Sequence, residues 1–191
     1  MVEHATDDEL ERGLDWVRRS PDDHGRLALI ARRPSVDARQ TLTEAVLDET
    51  CGLVGDSWLA RHGGDAPTVD RQVTVMNARV AALVARRPDR RTLAGDQLYV
   101  DLDLSHQNLA AGDRLRIGSA VLEVSDEPHL GCQKFATRFG GAALRFVNSP
   151  GGRARRLRGL NATVVSPGTV RVGDAVVVER ARAPHPGGRP A

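Results

Sequence analysis

Gly112-Asp113-Arg114-Leu115-Arg116-Ile117-Gly118 and, one residue on, Ala120-Val121-Leu122-Glu123-Val124-Ser125 are two short apolar runs set apart by glycine and aspartate. Each has the length of a β-strand rather than of a helix. The same texture extends in both directions. Runs at 26–31, 72–76 and 97–102 lie upstream, and runs at 161–165 and 175–179 lie downstream. The punctuation between them recurs as Gly-Asp pairs at Gly55-Asp56, Gly95-Asp96, Gly112-Asp113 and Gly173-Asp174. Glycine can take positive φ at such a point, and aspartate can bond its own turn. Strands at this spacing predict a mainly β protein built as a barrel or closed sheet, because closure removes unpaired strand edges.

Helical signals are few and peripheral. Thr6 followed by Glu9 has capping-box spacing, and Leu10, Leu14 and Val17 fall on one helical face before Pro21 stops the run. Residues 77–86 place Val80, Leu83 and Val84 at helical spacing and end before Pro88, while 133–139 reads as a helix too short to stand alone. Residues 41–49 are open between helix and strand. The stretch 181–191, rich in Pro, Gly and Arg without periodicity, reads as a disordered tail. The expected organisation is an N-terminal helix and linker over 1–24, one domain over 25–180, and that tail.

Composition narrows the function classes. A chain of 191 residues fits one domain able to bury a core without disulfides or metals. Its 40% hydrophobic and 27% charged residues are globular values, and a net charge of +2 with 3% aromatics argues against nucleic acid. No apolar run approaches the ~20 residues of a membrane span. The first twelve residues are acidic and polar, unlike a signal peptide. A cytoplasmic setting is therefore expected, with Cys51 and Cys132 kept as thiols.

Reactive groups concentrate in Pro128-His129-Leu130-Gly131-Cys132-Gln133-Lys134-Phe135-Ala136-Thr137-Arg138-Phe139. A thiol serves as nucleophile or metal ligand only as thiolate, a form favoured by nearby cations or a helix N-terminus. Lys134 and Arg138 follow Cys132, and Lys134 is the only lysine among 27 basic residues. That bias suits a role needing a compact ammonium, although chance accounts for it as well. Cys132 could equally be a buried structural cysteine, which is the reading adopted for Cys51, whose nearest charge in sequence is Glu49. A zinc site is a weaker reading, because the H-x-x-C of His129 and Cys132 has no second ligand pair. A Cys/His hydrolase is weaker again: His4, His24, His62, His106 and His185 lie in segments that read as loop or tail.

The run 112–118, Val121-Leu122-Glu123-Val124, Cys132-Gln133-Lys134-Phe135 and Arg138-Phe139 resembles the core of MOSC domains, named for the C-terminal domain of molybdenum cofactor sulfurase. Upstream, Gly52-Leu53-Val54-Gly55-Asp56, Asp70-Arg71-Gln72-Val73-Thr74-Val75 and Gly95-Asp96-Gln97-Leu98 are similar to family elements. Downstream, Arg158-Gly159-Leu160-Asn161-Ala162 and 168–174 look like its closing strands. The resemblance implies a β-rich barrel with peripheral helices. It implies Cys132 as sulfur carrier or molybdenum ligand, and Arg71, Lys134, Arg138 and Arg158 as candidate partners of a molybdopterin phosphate. The chain lacks the further domains of larger members, so a cysteine desulfurase or other sulfur donor, or a redox partner protein, is expected to be separate. Nothing resembles the pyridoxal phosphate domain of the sulfurase, and Lys134 has no recognisable phosphate cup. Bound pyridoxal phosphate is therefore not expected. Two uses follow from the resemblance: sulfuration or delivery of molybdenum cofactor, or reduction of N-hydroxylated compounds. A carrier module without turnover is the alternative.

Overall fold

The computed structural model describes residues 3–61 and 69–181. In chain order α1 (Asp7–Arg18), β1 (His24–Arg32), β2 (Gln40–Leu42), β3 (Glu44–Asp48), β4 (Gly52–Leu53), α2 (Trp58–Arg61), β5 (Val73–Asn77), α3 (Ala78–Ala85) and β6 (Leu98–Asp101) form the first half. The second half holds β7 (Arg114–Ile117), β8 (Ala120–Val124), α4 (Gln133–Asn148), α5 (Pro150–Ala154), β9 (Leu160–Ser166), β10 (Gly168–Arg171) and β11 (Ala175–Glu179). His62, His185 and the expected tail beyond residue 181 lie outside the described residues.

Seven strands close into a barrel in the order β1-β6-β5-β9-β8-β7-β11, with β11 pairing back to β1. Each of the seven apolar runs read from the sequence supplies one of them. All pairings in the ring are antiparallel except β5 with β6, whose crossover is made by α3 and a 3-10 turn over Pro88–Ala94. The open stretch 41–49 resolves as strand: β2 extends the sheet outside β1, while β3, β4 and β10 form a separate three-stranded sheet.

Side chains alternate across the wall. Leu98 and Val100 of β6 point into the barrel with Val73, Val75, Leu115 and Leu122, and Tyr99 points outward. Outside, Tyr99 and Met76 meet Leu10 of α1, Val80 and Val84 of α3, and Phe135 and Phe139 of α4. The barrel thus has an inner core and an outer one under the helices.

The Gly-Asp turns behave as their chemistry requires. Gly55, Gly95, Gly112 and Gly173 all have positive φ. Asp113 accepts from the Ala110 N–H at 2.9 Å and Asp174 from the Arg171 N–H at 2.7 Å, closing their own turns. Asp96 instead turns inward, with consequences described below.

The capping box of α1 is present, Thr6 N–H donating to Glu9 at 2.8 Å. The helix is moored by Arg79, which donates to the Trp16 carbonyl at 2.9 Å and grips Asp101. Asn77 joins the layers. Its Oδ1 caps α3 by accepting from the Arg79 and Val80 N–H groups, and its Nδ2 donates to Ser20 Oγ at 2.8 Å and the Leu102 carbonyl at 2.7 Å. Asn77→Ala removes a cap and strands buried partners, so its urea midpoint is expected to show a loss of about 2–3 kcal/mol. Ser20→Ala, which removes one neutral bond, is expected to cost about 1 kcal/mol in the same titration.

Candidate functional site

Cys132 sits at the N-cap of α4, exposed, and its carbonyl accepts from the Phe135 and Ala136 N–H groups. The strap that delivers it, residues 128–132, is pinned at two points. Asn148, at the far end of α4, donates to the Gly131 carbonyl and accepts from the Gly131 N–H, both at 2.9 Å. His129 Nε2 bonds Asp96 Oδ1 at 2.9 Å, and the other oxygen of Asp96 accepts from Arg158 at 2.6 Å.

Asp96 is fully buried. Burial pushes its carboxyl up, but Arg158 and His129 outweigh that and hold it at about 2. His129 is pushed below the usual imidazole range by burial first and by Arg158 second, with Asp96 opposing both. Its ring therefore stays neutral near pH 7.

α4 is longer than the sequence suggested. It runs to Asn148, broken at Gly140, where φ is 89° and a Cβ would lie 2.8 Å from the His4 ring. The sequence reading stops at Phe139, yet the chain resumes helical turns after Gly140 because Phe146 and Val147 pack in the outer core. Arg90 donates to the Arg138 carbonyl near the break.

Beside Cys132 lies a cleft of about 230 Å³ lined by six basic side chains, Arg33, Arg39, Arg61, Lys134, Arg138 and Arg158, and a single carboxylate, Asp37. The loop opposite holds several of them. The carbonyls of Leu93, Ala94 and Gly95 accept in turn from Arg138 at 2.9 Å, Arg158 at 2.9 Å and Arg33 at 2.8 Å. Arg33 is locked further by both oxygens of buried Asp56 at 2.9 Å. Arg138 pairs with the exposed Asp37.

Arg39 and Lys134 have no carboxylate partner among the described residues. Burial, then Arg138 and Arg33, push the Arg39 guanidinium down, and its Nε is buried without a hydrogen bond. Its Nη1 donates to the Ala38 carbonyl at 2.6 Å, and Asp37 only partly offsets the surrounding positive charge, a setting that favours an anionic ligand.

Of the residues singled out in sequence, Lys134, Arg138 and Arg158 line this cleft with Cys132, while Arg71 does not. Arg71 pairs with Glu127 in an adjoining groove, which shares Arg33 and Arg61 with the cleft and includes His129. Arg33, Arg39 and Arg61 carry no signal in the sequence, since nothing in a chain so rich in arginine distinguishes them and they approach Cys132 only through folding. His129 faces Asp96, and among the described residues no three His, Cys, Asp or Glu side chains cluster to hold a metal. His24 opens β1 rather than a loop and contacts Asp23 at 3.1 Å. Cys51 is governed by Asp48, not Glu49: burial and then the Asp48 carboxylate push its thiol up. No helix among the described residues is long and apolar enough to cross a membrane.

The sequence pattern of the MOSC domain matches residues 47–177. The chain belongs to the MOSC domain family. This family is associated with molybdenum cofactor, and the matched stretch holds Cys132 and all the cleft cations except Arg33 and Arg39. Solved structures agree on the MOSC fold. The YUAD protein from Bacillus subtilis superposes with TM-score 0.60 at 18% identity, covering 83% of this chain and 97% of that one. YiiM from Escherichia coli gives 0.55 at 21%, covering 83% and 72%. YiiM from Geobacillus stearothermophilus gives 0.56 at 15%, covering 82% and 75%. No curated protein matches the chain in sequence. The residues of this MOSC domain fit an anionic, phosphate-bearing group, because Arg39 and Lys134, which have no salt-bridge carboxylate among the described residues, line the cleft with the exposed thiol.

Two outcomes are expected. A limiting alkylating reagent at neutral pH labels exposed Cys132 before Cys51, whose thiol is half-buried and pushed up; peptide mass mapping that finds Cys51 labelled first contradicts this. The second concerns acid. Because the His129 imidazole is depressed in the folded state, its contribution is complete above the unfolded value of about 6.5 and is lost as pH falls below it. Urea midpoints should therefore decline from pH 7 to 5, and His129→Gln, less stable at pH 7, should show a flatter decline.

Proposed function

We propose that this MOSC protein binds molybdenum cofactor in the cationic cleft and uses Cys132 as sulfur carrier or molybdenum ligand. It would serve cofactor sulfuration and delivery, or the reduction of N-hydroxylated compounds. The observation that carries the proposal is the exposed thiol at the head of α4, set among six basic side chains and one carboxylate. The cofactor, when bound, supplies a redox-active metal on a dithiolene.

The chain's own residues divide the work. Arg39, Lys134 and Arg138 hold the phosphate; Arg33 and Arg158, already engaged with Asp56 and Asp96, keep the loop carbonyls and the cleft wall in place. In sulfur loading, the Cys132 thiolate attacks the outer sulfur of a donor persulfide. A new S–S bond forms on Cys132, the donor's S–S bond breaks, and the donor leaves as thiolate. A cysteine desulfurase or other sulfur donor, or a redox partner protein, completes this reading, as does a cytoplasmic setting that keeps both thiols reduced.

The exposure of Cys132 favours a second reading, a carrier that hands sulfur or cofactor to another protein without turnover. Protein made in a cofactor-competent host decides between them by elemental analysis, intact mass and dye-linked assay. Bound molybdenum with oxidation of a reduced dye by a hydroxylamine marks a reductase. A mass gain of one sulfur without turnover marks a carrier. Cys132→Ser is expected to abolish whichever signal is found while the fold persists, and Arg39→Gln to weaken cofactor retention about tenfold. Full retention of both signals in Cys132→Ser overturns the proposal.

A further inference from the structure

A second cavity, of about 290 Å³, lies across the strap and shares only Arg158 with the Cys132 cleft. Its walls include Leu130, Val147 and Leu160, and Arg156 reaches it from the buried side. Arg156 uses only Nη1 for the protein, donating to the carbonyls of Leu104 at 3.3 Å and Leu109 at 2.9 Å. Its Nε and Nη2 have no hydrogen-bond partner among the described residues.

The backbone beneath this side chain is strained. α5 ends in a Schellman motif, with Leu157 N–H bonding the Gly152 carbonyl and Arg156 N–H the Arg153 carbonyl, both at 2.9 Å. The position Arg156 occupies takes left-handed backbone, φ 45°, where glycine is the usual residue. Nothing in the turn calls for an arginine, so the reason lies in its side chain.

Charges around the cavity leave a surplus. Arg158 is neutralised by Asp96 and Glu127 by Arg71. Exposed Arg153, bonded only through Nε to the Asn148 carbonyl, and buried Arg156 then face one unbonded carboxylate, Asp126. His106 adds no charge near pH 7, since burial and Arg156 push its imidazole down.

We propose that this cavity is a binding site for a small carboxylate with an apolar body of about one ring. The carboxylate lies on the free edge of Arg156 and the body packs against Leu130, Val147 and Leu160. The volume suits roughly ten non-hydrogen atoms, at about 30 Å³ for each water-sized group. The site stands apart from the cofactor reading, because no contact in it involves Cys132.

The test is a ¹H–¹⁵N NMR titration of the full chain with benzoate, benzamide and benzamidine. Benzoate is expected to shift the amides of Gly152, Gly159 and Leu160 saturably, benzamide to bind at least about tenfold more weakly, and benzamidine not at all. Arg156→Gly relieves the left-handed strain while removing the guanidinium, and is expected to weaken benzoate about tenfold or more. Two exposed substitutions serve as further controls: Arg153→Glu should weaken benzoate, and Asp126→Asn should tighten it. Equal affinity for benzoate and benzamide, unchanged binding in Arg156→Gly, no saturable shift, or shifts centred on Gly95 and Lys134 each overturn the assignment.

Discussion

The buried carboxylate of Asp96 holds the site together. It faces Arg158 on one oxygen and His129 on the other, at 2.6 and 2.9 Å, with no exposure of its side chain. Removing one member of such a buried pair typically costs about 3–5 kcal/mol, because an uncompensated charge is left in a poor solvent. Each link fixes something else. Arg158 also supports the Ala94 carbonyl and lies over the Phe135 ring at 5.1 Å, so the loop after the 3-10 turn, β9 and the first turn of α4 are tied to one charge. His129 carries the strap, and three residues later the strap presents Cys132.

Arginine is the material of this arrangement for a physical reason. Its planar fork can serve a carboxylate and a carbonyl together, as Arg33 does with Asp56 and Gly95, and as Arg158 does with Asp96 and Ala94. Engaged in this way, these guanidiniums are fixed features of the cleft wall rather than mobile surface charges. Lys134 and Arg39 differ, having no carboxylate partner among the described residues. The cleft therefore combines rigid, neutralised cations with unspent ones, which suits an anionic ligand that must sit beside a thiol.

The same frame separates two cavities with different chemistry. The strap of residues 128–130 walls the apolar cavity and the groove of Arg71, and Cys132 at its end faces the cationic cleft. An occupant of the apolar cavity would touch Leu130, two residues from the thiol, while staying on the other side of Arg158.

Sequence alone determined the barrel strands, the capped first helix, α3, and the thiol. Short apolar runs between Gly-Asp turns have few ways to satisfy their backbone other than closure, and Thr6 and Glu9 signal their cap locally. Cys132, Lys134 and Arg138 were legible because they are neighbours in the chain. Only the tertiary structure decided which of the arginines line the cleft beside Cys132. Arg33, Arg39 and Arg61 lie about a hundred residues or fewer from Cys132 in sequence and beside it in space, whereas Arg71, inside a matching motif, turns to Glu127. The length of α4, which the sequence reads as 133–139, was likewise settled by the packing of Phe146 and Val147. Local chemistry is written in residue spacing, but the field at a site sums charges over distance, and folding sets those distances.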